Sequence, residues 1–185
     1  VTLRVPLYKD NAKLYYEPPG GIDAVLIPID QIALGKARMK AGVALPVFIS
    51  LPYRFYANMD SLFAGQSVLF PGYPLGITLD GGKPLLRKGS IAGIDRGTKT
   101  IYLDADALGG SSGSPVFVDL TSQANVEFFR SSRQLLVGMI TGYMAEKRQM
   151  AEAPEEDEIL HGGIAIVVPA ETIREWADSC LANQR

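Results

Sequence analysis

The stretch Leu103-Asp104-Ala105-Asp106-Ala107-Leu108-Gly109-Gly110-Ser111-Ser112-Gly113-Ser114-Pro115-Val116-Phe117 decides how the chain is read. An apolar strand ends in it, small residues run from Gly109 to Ser114, and a new apolar run opens after Pro115. Glycine and serine are common in flexible loops, so a linker is the plain alternative. Against a linker stand the shortness of the run, its place between two strand-like segments, and Pro115 with its neighbouring glycines, which imply a fixed, tight backbone path. Glycines on either side of a serine let backbone amides turn toward one point and form a nest that can hold an oxyanion. Ser112 is then a candidate nucleophile, with the amides of Gly110 and Ser112 as donors.

Around that stretch the punctuation is regular. Strands are expected at 66–70, 84–94, 99–103, 115–119, 134–141 and 163–168, separated by 72–76, Gly81-Gly82, Arg96-Gly97 and the Ser/Asn-containing stretch 121–133. Short strands with turn signals between them suggest a closed β-barrel or a sandwich. Upstream, Val1, Leu3, Val5 and Leu7 alternate with other residues as in a half-buried strand. Asp10-Asn11 reads as a turn, 13–17 as a return strand, and Pro18-Pro19-Gly20-Gly21 as a break. The apolar run 22–29 suits a strand buried on both faces, 31–40 a short helix, 46–51 a further strand, and 53–63 a polar-aromatic connection.

Toward the C-terminus, Glu146, Glu152, Glu155, Glu156, Asp157 and Glu158 give 144–160 an acidic cast, which reads as a solvated, mobile loop. Residues 169–181 read as a helix, with Pro169 at its start and Glu171 and Glu175 early. Ile173, Trp176, Ala177 and Cys180 share one apolar stripe, which places Trp176 and Cys180 in the core.

Composition bounds the function classes. The chain has 185 residues, 47% hydrophobic and 21% charged, enough for a two-lobed β protein with a sizeable core. A net charge of −2 gives no electrostatic basis for nucleic-acid binding. No apolar run reaches the ~20 residues that span a bilayer. The single Cys180 excludes an internal disulfide framework without separating a bacterial cytoplasm from a cell envelope. One histidine and one cysteine are too few for a zinc site, and no cofactor is expected.

Gly110-Ser111-Ser112-Gly113-Ser114-Pro115 resembles the Gly-x-Ser-Gly-Gly/Ser-Pro nucleophile motif of the chymotrypsin/trypsin-like serine peptidases, closest to the bacterial DegP-like and glutamyl-endopeptidase-like branches. Four more segments follow the family's order. Gly21-Ile22-Asp23-Ala24-Val25-Leu26 is similar to the segment carrying the triad aspartate, and Phe70-Pro71-Gly72-Tyr73-Pro74-Leu75-Gly76 to the turn opening the second barrel. Leu136-Val137-Gly138-Met139-Ile140-Thr141-Gly142 is similar to the strand ending at the substrate edge, and Gly163-Ile164-Ala165-Ile166-Val167-Val168-Pro169 to the last strand before the terminal helix.

The resemblance implies an all-β fold of two six-stranded antiparallel barrels with a C-terminal helix. Residues 1–64 would be the remainder of the first barrel and a linker, 65–168 the second barrel, and 169–185 the helix. It also implies a serine endopeptidase in which Ser112 is the nucleophile, Asp23 orients a histidine, and the Gly110 and Ser112 amides hold the oxyanion. The alternative for Asp23 is a satisfied structural carboxylate or a turn residue. Thr141, Gly142 and Tyr143 would pair with the backbone of a peptide or protein substrate as an added strand. Asp106 would sit at the base of the primary pocket and favour basic residues, unless Asp104 takes that place or either simply ends a strand. Ser111 stands where trypsin-like zymogens have an aspartate that captures a new N-terminus, so that switch is not expected.

One departure matters. The family's histidine precedes its aspartate, and the 22 residues before Asp23 hold none. Residues 1–51 also supply about four strands where the resemblance implies six. The expectation is an upstream segment that carries two strands and the histidine; a clipped segment that stays bound, or an inactive relative, would account for the same gap. The only histidine, His161, is expected in a surface loop before the last strand. The rivals to a peptidase are a pseudo-peptidase that binds extended peptides, and an interaction domain keeping only the fold.

Overall fold

In Ser67–Gly72 every second residue is buried, with Val68, Phe70 and Gly72 inward, the period of a strand with one face on a core. The computed structural model describes residues 8–9, 12–13, 15–18, 24–28, 51–105, 109–119, 135–149 and 157–182. Its strands are β1 (Tyr8–Lys9), β2 (Ala12–Lys13), β3 (Ser67–Gly72), β4 (Leu85–Asp95), β5 (Thr100–Asp104), β6 (Pro115–Val118), β7 (Leu136–Gln149) and β8 (Asp157–Pro169); helix α1 (Ala170–Ala182) follows.

Six of these strands close into an antiparallel barrel in the order β3-β4-β5-β8-β7-β6. Closure leaves no sheet edge within the ring. Val68, Phe70, Ile101, Leu103, Val116 and Ile140 lie in its interior with no solvent exposure. Gly138 lets β7 approach β8 closely, since a Cβ there would lie 2.1 Å from the Val168 carbonyl oxygen. Just after β6, buried Asp119 pairs with Lys88 at 2.9 Å and donates its amide to Ser67 O at 2.8 Å, tying the end of β6 back to β3 and β4.

Residues 51–63 are drawn onto this barrel by two 3-10 turns, Tyr53–Phe55 and Met59–Ser61. Asn58 caps the second by accepting from the Asp60 amide at 2.8 Å. Ala57, Met59 and Leu62 are buried in the core, so this connection is part of the barrel's packing and not a free tether. Helix α1 docks through buried Trp176, and Glu171 in its first turn accepts from the Met59 amide at 3.2 Å.

Several expectations change. The acidic stretch 144–160 is not simply a loop: β7 runs to Gln149 and β8 begins at Asp157, with Arg148 opposite Glu158 and Gln149 opposite Asp157 in register. A two-stranded ribbon extending past a barrel can be solvated on both faces, so charge does not oppose strand formation there. His161 accordingly lies in β8, opposite Ala145, and not in a loop. Val25 and Ile27 are exposed, and Leu26 pairs only through a bridge to Tyr16, so this part of 22–29 is not buried on both faces. Cys180 is half-buried. β1 and β2 pair antiparallel, with Tyr8 opposite Lys13 and Lys9 opposite Ala12, while the turn expected at Asp10-Asn11 lies outside the described residues.

The described residues contain one barrel. The expected first barrel falls on 1–64, and most of 1–50 lies outside the described residues, including the strand at 1–7, the helix at 31–40 and nearly all of 46–51. Among the described residues no helix is long and apolar enough to cross a membrane.

Candidate functional site

β5 delivers the chain to the mouth of the barrel and β6 takes it back, and residues 109–114 span the gap. Burial alternates in this loop: Ser111 is 1% exposed and Ser114 is buried, while Gly110, Ser112 and Gly113 face solvent. Two clamps fix it. On the β3 side, the Tyr73 amide donates to Gly110 O at 3.2 Å and the Leu75 amide to Gly109 O at 2.6 Å. On the β7 side, the Gly113 amide donates to Ile140 O at 2.7 Å and the Ile140 amide to Ser114 O at 3.0 Å. A turn within the loop, Ser114 N to Ser111 O at 3.1 Å, presents Ser112 at its tip.

The first clamp requires glycine. Gly110 has φ +93, and a Cβ on it would lie 2.0 Å from Tyr73 O. With the carbonyls of Gly109 and Gly110 turned toward β3, the amides of Gly110 and Ser112 have no acceptor among the described residues. Such a pair of free amides around an exposed hydroxyl can receive a developing negative charge.

β6 pairs with β7 only as far as Met139, and the loop contacts at Ile140 continue the seam. Thr141, Gly142 and Tyr143 come next on β7, where the register with β8 shifts between Ile140 and Gly142. Their edge away from β8 faces no strand among the described residues, and it begins beside Gly113. Geometry therefore brings Gly110, Ser112, Thr141, Gly142 and Tyr143 to one end of the barrel. Asp23 and Asp106 lie outside the described residues. Asp104 is exposed at the end of β5, opposite Ser90 and Ile164.

Three features of this end carry no motif in the sequence. Ser111 Oγ is buried with no hydrogen-bond partner among the described residues. The Arg87 guanidinium lies 5.4 Å from the Phe70 ring centroid, with Nη1 buried and unpartnered. A hollow of about 240 Å³ opens beside Ser112 between Gly72, Tyr73, Pro84 and Pro115. Only the Phe70–Arg87 pair has a signal in strand register: Phe70 faces Arg87, so both project to the inner face at the mouth.

Groups with displaced pKa lie away from Ser112. Hydrogen bonds from the Thr98 side chain and the Thr98 and Gly97 amides hold Asp95 below its ordinary value, at the opposite end of β4. Burial raises Tyr56, and burial followed by the charge of Asp178 raises Tyr53. Among the described residues no cluster of three or more His, Cys, Asp or Glu could hold a metal ion. Comparison of the chain with protein-family models, with curated proteins and with solved structures returned no match.

Proposed function

We propose that the chain is a trypsin-like serine endopeptidase that hydrolyses peptide bonds through an acyl-enzyme on Ser112. The observation that carries this reading is the doubly clamped loop, with an exposed serine hydroxyl at its tip and the Gly110 and Ser112 amides free to donate. On this reading Ser112 Oγ attacks the scissile carbonyl carbon while a general base takes the hydroxyl proton. The carbonyl oxygen, now negative, accepts from the two amides, an interaction that contributes on the order of 10² to 10³ in rate. The C–N bond then breaks, the base passes the proton to the leaving amine, and water hydrolyses the ester by the reverse path.

The base is a histidine supplied from upstream of the aspartate and oriented by Asp23. Asp106 at the pocket floor gives a preference for Arg or Lys, because a buried carboxylate needs a cation to offset its desolvation. The Thr141–Tyr143 edge holds the substrate backbone as an added strand. Segments that carry the resemblance fall in β3, β7 and β8 of the barrel, and a helix follows the last of them, which supports a trypsin-like fold.

Labelling with a fluorophosphonate, with the modified residue located by mass spectrometry, tests the reading. Modification at Ser112 that disappears in Ser112→Ala is the expected result. Because Ser112 makes no hydrogen bond among the described residues, a second reading has its own support: a pseudo-peptidase that binds extended peptides at the β7 edge. Saturable peptide binding with no labelling of Ser112 would select it.

A further inference from the structure

The hollow beside Ser112 has a character that peptide-bond chemistry does not require. β3 and β7 flank β6 on opposite sides, so the Ser112 loop has the open β7 edge on one side and the hollow on the other. Pro71, Tyr73, Pro84 and Pro115 wall the hollow, and among the described residues no charged side chain lines it. At about 240 Å³ it falls below the ~300–1,000 Å³ of pockets that enclose whole small molecules. Beyond Tyr73 the connection between β3 and β4 displays Leu75, Ile77 and Leu79, and Leu86 follows at the start of β4. All are exposed, Leu75 to 70% and Leu86 to 68%. Such a concentration of large apolar side chains marks an interaction surface.

The surface is built, not slack. Tyr73 Oη donates to Gly82 O at 3.2 Å, the Leu79 amide donates to Lys83 O at 2.9 Å, and the Gly82 amide to Leu79 O at 3.0 Å. Leu75 sits at φ +54, a strained conformation for a residue with a side chain, yet its side chain is displayed and not packed. Its amide meanwhile holds Gly109 of the nucleophile loop. Strain kept at an exposed leucine beside a reactive serine points to use.

We propose that the hollow and the adjoining face at Leu75 form a subsite for a large apolar side chain, leucine- or phenylalanine-sized, on the flank of the scissile bond away from the β7 edge. The inference rests on the peptidase reading, because the group entering a hollow walled by Ser112 is one attached to the carbonyl that Ser112 attacks. An apolar residue there adds buried area against Tyr73, Pro84 and Leu75, whereas an acidic or basic one loses hydration with no countercharge on the walls.

Backbone amide spectra of the whole chain, titrated with Leu-Leu-amide and with Asp-Asp-amide, test this without needing turnover. Leu-Leu-amide is expected to shift the amides of Tyr73, Leu75, Gly110 and Gly113, and Asp-Asp-amide to leave them in place. Leu75→Asp and Tyr73→Ser should each weaken Leu-Leu-amide at least tenfold while resonances of β5 and β8 stay where they are. Equal responses to the two dipeptides, shifts centred elsewhere, or unchanged affinity in both variants would overturn the proposal. So would concentration-dependent shifts of the same amides without ligand, which would mean that a second copy covers the face. Fluorophosphonate labelling separates the two claims. Unlabelled Ser112 with the expected shifts removes the peptidase and keeps the apolar site; labelled Ser112 without them removes the site alone.

Discussion

Gly110 is the residue on which the 109–114 loop depends, for two separate reasons. Its φ of +93 disfavours any other residue, and its Cα approaches Tyr73 O so closely that a methyl group cannot fit. Gly110→Ala should cost about 1–3 kcal/mol of stability, the scale of a strained backbone position, and should abolish labelling of Ser112. A thermal melt and fluorophosphonate labelling of the same preparation check both. Lys88→Ala is a test of the opposite kind. Asp119 is buried and Lys88 is largely exposed, so removing the cation leaves the carboxylate in place without its 2.9 Å partner. A loss of about 1.5–3 kcal/mol in denaturant unfolding is expected, the range for hydrogen bonds to charged groups. Tyr53 makes a pH prediction. Burial and then Asp178 raise its phenol above the ordinary 10.0, with Arg174 acting the other way. The folded state thus holds the proton longer than the unfolded one. The associated stability is complete below about pH 10 and is lost as pH rises from the unfolded value through the raised one. Asp178→Asn should bring Tyr53 part of the way down, and a carbon-detected NMR titration of the ring would show it.

At the scale of elements, the connection 51–63 and helix α1 act together. Met59 donates its amide to Glu171, the Arg174 guanidinium lies over the Tyr53 ring at 5.5 Å, and Leu62 is buried in the barrel core. Leu62→Ala should therefore cost about 2–5 kcal/mol in chemical denaturation, as for a core leucine and not for a linker residue. In the sequence, 53–63 looks like a polar-aromatic connection and no more, because Ala57, Met59 and Leu62 together keep neither a strand's nor a helix's period. What buries them is the pair of 3-10 turns, a local geometry with no strong residue signature. The β7–β8 ribbon is hidden in the sequence for the reverse reason. Its acidic residues read as solvated, which a two-stranded extension can satisfy while remaining paired. The six strands of the barrel were legible, since Val68 and Phe70, or Ile101 and Leu103, keep the period of two that one buried face demands.

For the whole molecule, closure is what places the site. The Gly-Ser run from Gly109 to Ser114 could be read as a cradle from residue types alone, but its two clamps come from Tyr73 and Leu75 on one side and Ile140 on the other, distant in sequence. Ser111 Oγ and Arg87 Nη1 were not legible at all, because an unpartnered atom is a property of packing and not of a motif. Gly138 tests closure directly. With Val168 O 2.1 Å from where a Cβ would stand, Gly138→Ala forces β7 and β8 apart. It should lower the melting temperature and loosen the Ile140 clamp two residues further on, so that labelling of Ser112 falls.

The ring has a temporal consequence as well. β3–β4, β4–β5, β6–β7 and β7–β8 join strands consecutive in the chain, whereas β3–β6 and β5–β8 join strands roughly 50 and 65 residues apart. Hairpins form in about 1–10 μs, but the two distant seams must first overcome the entropy of closing long loops. The Tyr73 clamp needs the β3–β6 seam and the Ile140 clamp needs β6 beside β7, so the cradle around Ser112 is among the last parts of the fold to assemble. In a pulsed refolding experiment, amide protection in the β4–β5 hairpin should appear before Ser112 becomes reactive. On the proposed reading, a chain emerging from synthesis would acquire a competent Ser112 only once the barrel had shut, and partly folded copies would carry the serine without its cradle.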